Sequence, residues 1–460
     1  MVIGMGNRIE YAFKIGKSFR QKKAESPVEY LEAAKSVGEY LEQFLVEAPE
    51  GIYWRDEEPS TENKTDKPDI SYFSGTGGIG YLYLELYQIT GDEKYLTYAE
   101  KAVDYLDAHW KEQTEVTISG VNMPGIEYGV YMGIAGIGML IAQYYKYAKR
   151  DKDLQTLRDI AYAVIDAAKQ DATGIWWNGD TSMLFDGGIL VFLAKANELL
   201  KDERIGQTVC AAADTILSKA EEDPRGGLAW LSTAHENQTR VPNFECGTAG
   251  VGYALTIAYD ATGNEKYLDA AVGAAAHLKA IAVKQGDGFL IPWHDNPKEE
   301  TIFYVSSCHG PAGTSKLFYK LYQITGKEEY LEDISGLYKG LRHLGVPEKQ
   351  SAGYWNTTCL CCGTAGVLQF FINYSMITGS EEAKEVAVTA GNILLGEQEK
   401  QGKGIAFPLA FERVRPDKIT TSISYAVGTA GIAGALAQLY LFLEGRYKWD
   451  RLFDDPYPEV

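Results

Sequence analysis

One short glycine phrase recurs along the whole chain, and a chain that repeats itself at this interval has few folds open to it. The phrase stands at Gly75-Thr76-Gly77-Gly78, Gly133-Ile134-Ala135-Gly136, a reduced Gly187-Gly188, Gly247-Thr248-Ala249-Gly250, Gly310-Pro311-Ala312-Gly313, Gly363-Thr364-Ala365-Gly366 and Gly428-Thr429-Ala430-Gly431. Successive first glycines are 58, 54, 60, 63, 53 and 65 residues apart. Such a period marks a repeat architecture, and each unit has room for two helices.

The units share an internal grammar. After each phrase runs an apolar stretch such as Tyr81-Leu82-Tyr83-Leu84-Glu85-Leu86-Tyr87, apolar nearly all round and therefore a helix buried on both sides. It ends in a polar turn, as at Thr90-Gly91-Asp92-Glu93 or Thr262-Gly263-Asn264-Glu265. There glycine supplies a left-handed cap and the next residue can cap the following helix. That next segment is amphipathic, with Leu96, Ala99, Val103 and Leu106 on one face, the pattern of an outer helix with one wet side. Counting the stretch around residues 30–45, seven outer and seven inner helices alternate. The expectation is an all-α fold: an α/α toroid of seven helical hairpins forming a single domain over residues 1–460, its inner helices lining the axis. An open solenoid is the alternative, but neither end has a polar capping repeat and the first outer helix can pair with the last inner one. The stretch from Asp454 to Glu459 reads as a tail.

Composition narrows the partners. A net charge of −19 argues against nucleic acid and anionic membrane. No apolar run reaches the ~20 residues that cross a bilayer, and no charged leader precedes an apolar core at the N-terminus. The expected location is cytoplasmic. Six cysteines in 460 residues are too sparse for a disulfide scaffold.

In a closed ring the loops entering the inner helices meet at one end of the axis, so the residues just before each glycine carry the chemistry. They are Phe73-Ser74, Tyr131-Met132, Phe185-Asp186, Glu245-Cys246, Cys308-His309, Cys361-Cys362 and Ala426-Val427. Cysteines gather in three consecutive repeats, and Cys308, Cys361 and Cys362 form a candidate zinc (Zn2+) set. Thiolates suit the metal's softness, and three protein ligands leave a position for substrate. A helix start is expected to hold such thiols down in pKa. Buried cysteines packing under glycine turns are the plainer reading; Cys359 and Cys210 are assigned to it, the latter as core of an outer helix. His309 is a candidate for acid–base work or for structure, His294 is a surface-loop residue, and Asp186 is a helix N-cap. His109, His235, His277 and His343 are read as structural.

These residues resemble the lanthionine synthetase C-like family over essentially the whole chain. Ser307-Cys308-His309-Gly310 is similar to that family's Trp-Cys-His-Gly segment, with serine for tryptophan. Leu360-Cys361-Cys362-Gly363 resembles its Cys-His-Gly or Cys-Cys-Gly segment. The resemblance implies a seven-repeat toroid with zinc bound by Cys308, Cys361 and Cys362. It also implies an enzyme that joins a peptide cysteine to dehydroalanine or dehydrobutyrine as a thioether, acting on a dehydrated peptide or a small thiol and electrophile. Two positions depart from the family. Its fourth-repeat histidine is Cys246 here. The acidic residue before its second glycine phrase falls by spacing on Gly129, with Glu127 two residues away. Proton transfer then falls to His309, Glu127 or Cys246. The competing expectation is a non-catalytic zinc-bearing scaffold closed by Cys246 as a fourth thiolate. A carbohydrate-active toroid would need paired carboxylates at the mouth, for which Asp186 and Glu245 are the candidates.

Overall fold

The structure is a computed structural model that describes residues 18–56, 67–112, 117–118, 121–172, 174–233, 240–296, 301–446 and 449–458. Its helices, in chain order, are α1 (Val28–Leu41), α2 (Thr76–Thr90), α3 (Glu93–His109), α4 (Ile134–Ala148), α5 (Asp151–Asp166), α6 (Asp186–Leu200) and α7 (Glu203–Ser218). They continue as α8 (Thr248–Thr262), α9 (Glu265–Ile281), α10 (Pro311–Thr325), α11 (Glu329–His343), α12 (Thr364–Thr378), α13 (Glu381–Glu397) and α14 (Thr429–Leu443). Even-numbered helices are inner and odd-numbered ones outer. Each inner helix packs on the next, α2 on α4 and onward to α12 on α14, and α14 packs back on α2. The ring is closed. α1 pairs with α14 across the seam, so the first and last helices of the chain complete one hairpin.

The local chemistry follows the repeat. Gly91, Gly263, Gly326 and Gly379 take the left-handed conformation at the ends of inner helices, each donating its N–H to the carbonyl four residues back. Asp92, Asn264 and Ser380 then accept from the first turn of the following helix. The last glycine of each phrase is a packing requirement: a Cβ on Gly313 would collide with the Ser307 carbonyl, and one on Gly366 with the Leu360 carbonyl and the Ser306 hydroxyl. Inner helices are buried around most of their circumference, as in α14 from Thr429 to Leu439. None of the described helices is long and apolar enough to cross a membrane.

Among the described residues, seven two-stranded antiparallel hairpins add to the helical plan. Aromatic segments read as plain connections, such as Gly51–Trp54 and Gly174–Trp176, are second strands of these hairpins. They dock onto the helix starts by one recurring bond. The first-turn hydroxyl of Thr76, Thr248 or Thr429 accepts from the N–H of Trp54, Trp230 or Phe407 at 3.4, 3.4 and 3.2 Å.

The third repeat corrects the sequence register. It lacks one residue, so α6 begins at Asp186 after Phe185 as N-cap. Asp186 therefore matches the first-turn threonines, and its carboxylate accepts from Trp177, Asn178 and Gly179 N–H at 3.3, 3.0 and 3.1 Å. It is a hairpin anchor, neither the N-cap nor a mouth residue.

The C-terminal stretch also differs from expectation. Residues 449–458 thread the axis of the ring from the end opposite the glycine phrases. Gln88 and Tyr147, in the last turns of α2 and α4, hold Asp450 there. Deeper in, Gln143 donates to the Arg451 carbonyl, Arg451 to Asn373, and Tyr253 to the Phe453 carbonyl. The chain then turns back, with Tyr457 bonded to Ser315 at 2.8 Å and stacked on Tyr319. Five inner helices grip this segment, so an acidic string that looks like a solvated tail is core.

Candidate metal centre

A belt of backbone hydrogen bonds organises the end of the ring where the glycine phrases lie. The N–H of Leu184 donates to the Glu245 carbonyl, Glu245 to Cys308, Cys308 to Cys361, Cys361 to Ala426, and Ala426 to Phe73, at 2.8–3.1 Å. Phe73 continues to Tyr131 at 2.8 Å. In six repeats the pinned residue stands two places before the first glycine and lines the axial cavity, while in the third it is Leu184, next to the N-cap Phe185. Tyr131, Glu245, Cys308 and Cys361 line this cavity, whose far side is formed by Leu452 and Asp454 of the C-terminal segment.

Three sulfurs converge on this belt. Cys308 Sγ is 3.2 Å from Cys362 Sγ, which is 3.4 Å from Cys361 Sγ. The three ligand atoms lie within 4.8 Å of one another. Cys308 is buried and the other two are half-buried. Thiol–thiol hydrogen bonding and burial hold Cys308 and Cys362 well above the usual thiol range, and Cys361 is raised as well. The field of a helix start does not overcome this, because three thiolates cannot ionise side by side without a cation among them. Soft donors at this spacing fit zinc, whose bonds to sulfur are about 2.3 Å; a small outward relaxation of the sulfurs accommodates them.

The other expected residues separate. Cys246 is absent from this group: it is buried among Phe73, Leu184, Phe185, Val241 and Val427. Burial raises its thiol. Its sulfur is not among those that converge with Cys308, Cys361 and Cys362, as the fourth-thiolate expectation would need. Glu127 also stays away, its carboxylate accepting from Gly125 N–H at 2.7 Å in its own turn. His309 does reach the site: a ring nitrogen lies within 4.8 Å of a Cys308 and a Glu245 ligand atom. Its ring meets Tyr304 and Trp293 edge-on at 5.6 and 6.2 Å. Cys359 is fully buried beside Thr357, whereas Cys210 is exposed and not core. His277 is buried between Asp223 and Asp295, and His235 lies outside the described residues.

Sequence reasoning underrated Glu245. Its Oε2 accepts from Cys361 Sγ at 3.8 Å, and burial pushes its carboxyl up to about 7. The signal was present among the pre-glycine residues, one place before the residue that drew attention. The expected pairing of Asp186 with Glu245 is not formed, since Asp186 belongs to a hairpin anchor.

Comparison with known proteins agrees with this layout. Residues 66–453 match the family described as lanthionine synthetase C-like protein. Among curated proteins, the lacticin 481/lactococcin biosynthesis protein LcnDR2 of Lactococcus lactis subsp. lactis is 22% identical over 307 residues, 66% of this chain. The aligned part is 29% of that protein, so the chain spans under a third of its length. Among solved structures, nisin cyclase superposes with a TM-score of 0.60 at 14% identity, covering 90% of this chain and 94% of the other. That likeness is one of fold.

Proposed function

Because the chain belongs to the lanthionine synthetase C-like family, we propose that it is a cyclase-type enzyme that adds a cysteine thiol of a dehydrated peptide to a dehydroalanine or dehydrobutyrine, forming a thioether. The observation that carries this reading is the meeting of three thiols from two adjacent repeats at the wall of an axial cavity, beside a carboxyl of raised pKa. Cys308, Cys361 and Cys362 would hold the zinc. When bound, it supplies a Lewis acid that keeps a substrate thiol ionised near neutral pH.

The protein's own groups account for the remaining work. In the addition, the sulfur forms a bond to Cβ and the C=C pair moves onto the carbonyl oxygen. A proton delivered to Cα restores the carbonyl, so S–H has added across the double bond with no net redox change. Glu245, next to Cys361, is the acidic group placed to take the thiol proton and return it. His309, ringed by Tyr304 and Trp293, has a ring nitrogen near both Cys308 and Glu245 and orients whatever enters there. Ser307 stands where the family's tryptophan would, leaving a smaller wall in the cavity.

The test combines zinc content with turnover of a peptide that carries one dehydroalanine and one free cysteine. Loss of both in Cys361→Ala supports the reading. Zinc in the wild type without any thioether product rules out catalysis and leaves a metal-bearing binding protein.

A further inference from the structure

Conjugate addition leaves negative charge on the acceptor's carbonyl oxygen, and a cavity that speeds the reaction supplies something to meet it. Among the described side chains lining the axial cavity, Lys316 is the only cation. It sits in the second turn of α10, with its side chain 13% exposed. Its ammonium lies 3.1 Å from Asp454 Oδ2 and 4.9 Å from the centroid of the Phe244 ring. Asp454 is itself fixed, because Tyr131 OH donates to the same Oδ2 at 3.1 Å. The carboxylate takes one of the three ammonium donors. Lys316 lines the same cavity as Glu245, Cys308 and Cys361, and its charge acts to lower the Glu245 carboxyl.

We propose that Lys316 is a catalytic residue that stabilises the oxyanion of the addition step, and that Asp454, carried into the ring by the C-terminal segment, is its positioning residue. The proposal rests on the conjugate-addition reading of the site. As sulfur bonds to Cβ, the acceptor's π electrons collect on the carbonyl oxygen, which takes a hydrogen bond from the ammonium. That bond is strongest when the charge is fully formed, so it lowers the barrier rather than merely binding the substrate. The Lys316 proton stays on nitrogen throughout, and the proton that reaches Cα comes from the substrate thiol by way of Glu245. A C-terminal segment that completes the catalytic cavity also explains why it is buried against five inner helices instead of trailing in solvent.

Two measurements on the full chain test this. The first compares alkylation of Cys361 by iodoacetate and iodoacetamide in the metal-free protein, mapped by mass spectrometry, for wild type, Lys316→Met, Lys316→Gln and Lys316→Arg. The expected result is a roughly tenfold fall in the iodoacetate-to-iodoacetamide rate ratio in both neutral variants and its retention in Lys316→Arg. Because it is a ratio within one protein, partial destabilisation cancels, and an unchanged ratio overturns the proposal without touching the conjugate-addition reading. The second is turnover of the dehydroalanine–cysteine peptide. Lys316→Met is expected to lower kcat by ~10²–10³-fold with KM within a few-fold, Lys316→Arg to recover part of it, and Asp454→Asn to lower kcat about tenfold at unchanged zinc content. Equal kcat in wild type and Lys316→Met refutes the catalytic role. A wild type that makes no thioether removes the parent reading and this one with it, while the alkylation ratio still reports whether the cation faces the thiols.

Discussion

Cys361 Sγ and Glu245 Oε2 lie 3.8 Å apart although 116 positions separate them in sequence. The belt explains the meeting: Glu245 N–H bonds to Cys308 and Cys308 N–H to Cys361, which sets an acid of the fourth repeat against a thiol of the sixth. Cys246, adjacent in sequence, is turned into an apolar cluster. The position that resembles the family's histidine and the residue that lines the cavity beside Cys361 thus differ by one place.

Glu245→Gln should therefore keep zinc, with chelator competition unchanged to within a few-fold, while turnover falls ~10²-fold for lack of the acid–base group. Cys246→Ser should leave both near wild type apart from a modest loss of stability. Zinc loss in Cys246→Ser would restore the fourth-thiolate scaffold and displace the cyclase reading.

Removing any one of Cys308, Cys361 or Cys362 should weaken zinc binding by at least ~10²-fold, because two thiols at these distances leave a metal with half its tetrahedral shell. Cys359→Ala should not, since that thiol, bonded to Thr357 and to Cys362, stands outside the three whose sulfurs converge. Cobalt-substituted protein gives the check: thiolate-to-cobalt absorption should drop stepwise for the three ligand variants and stay unchanged for Cys359→Ala. Equal retention in all four would mean that the metal binds elsewhere.

Much of the architecture is legible in the sequence because glycine is needed at fixed places. Gly313 and Gly366 must admit a neighbouring carbonyl, so no residue with a side chain fits there and the period survives. The left-handed helix ends favour glycine at Gly91, Gly263, Gly326 and Gly379, although Lys149 and Lys201 take the same conformation in the second and third repeats. The thiol group is legible for the same reason, being tied to that period. Three features are not. The third repeat drops a residue, which moves Asp186 from the mouth to a hairpin anchor. Glu245 and Cys246 are adjacent, and only the belt's hydrogen bonding decides which one faces the axis. The C-terminal string is acidic and proline-rich, and its burial depends on partners such as Asn373, Ser315 and Lys316 that lie in distant repeats.

Glu85 predicts how stability varies with pH at the seam. Its carboxyl is buried between α2 and α14, accepting from Tyr425 OH and Gln438 Nε2 at 3.0 Å each. Burial raises it from 4.5 to about 7. A raised carboxyl stabilises the fold fully below the unfolded value and loses that contribution as pH rises toward the folded value. Stability should fall between about pH 4.5 and 7 by about 3 kcal/mol from this group. In Glu85→Gln the dependence should flatten and the protein should gain at pH 8. Urea midpoints of both proteins at pH 5 and pH 8 measure it, and an equal shift in the two would assign the slope to other groups.

Arg451 predicts the contribution of the axial segment. It is buried at 8% exposure, bonded to Asn373 Oδ1 at 2.8 Å, Asp455 Oδ2 at 2.9 Å and the Pro458 carbonyl at 3.1 Å. Its guanidinium also lies 4.2 Å from the Trp449 ring centroid. Arg451→Ala leaves the half-buried Asp455 carboxylate without its cation and empties a buried site, and should cost about 3 kcal/mol, the lower end of the scale for breaking a buried pair. The loss should be local first, because the inner helices hold one another independently of the segment. Hydrogen exchange should rise across residues 449–458 and at Gln143 and Asn373 before it rises in α8 or α14. If the whole ring exchanges together, the segment is part of the cooperative core and not a separable floor. In that case Asp454 and Lys316 are fixed by the fold as a whole.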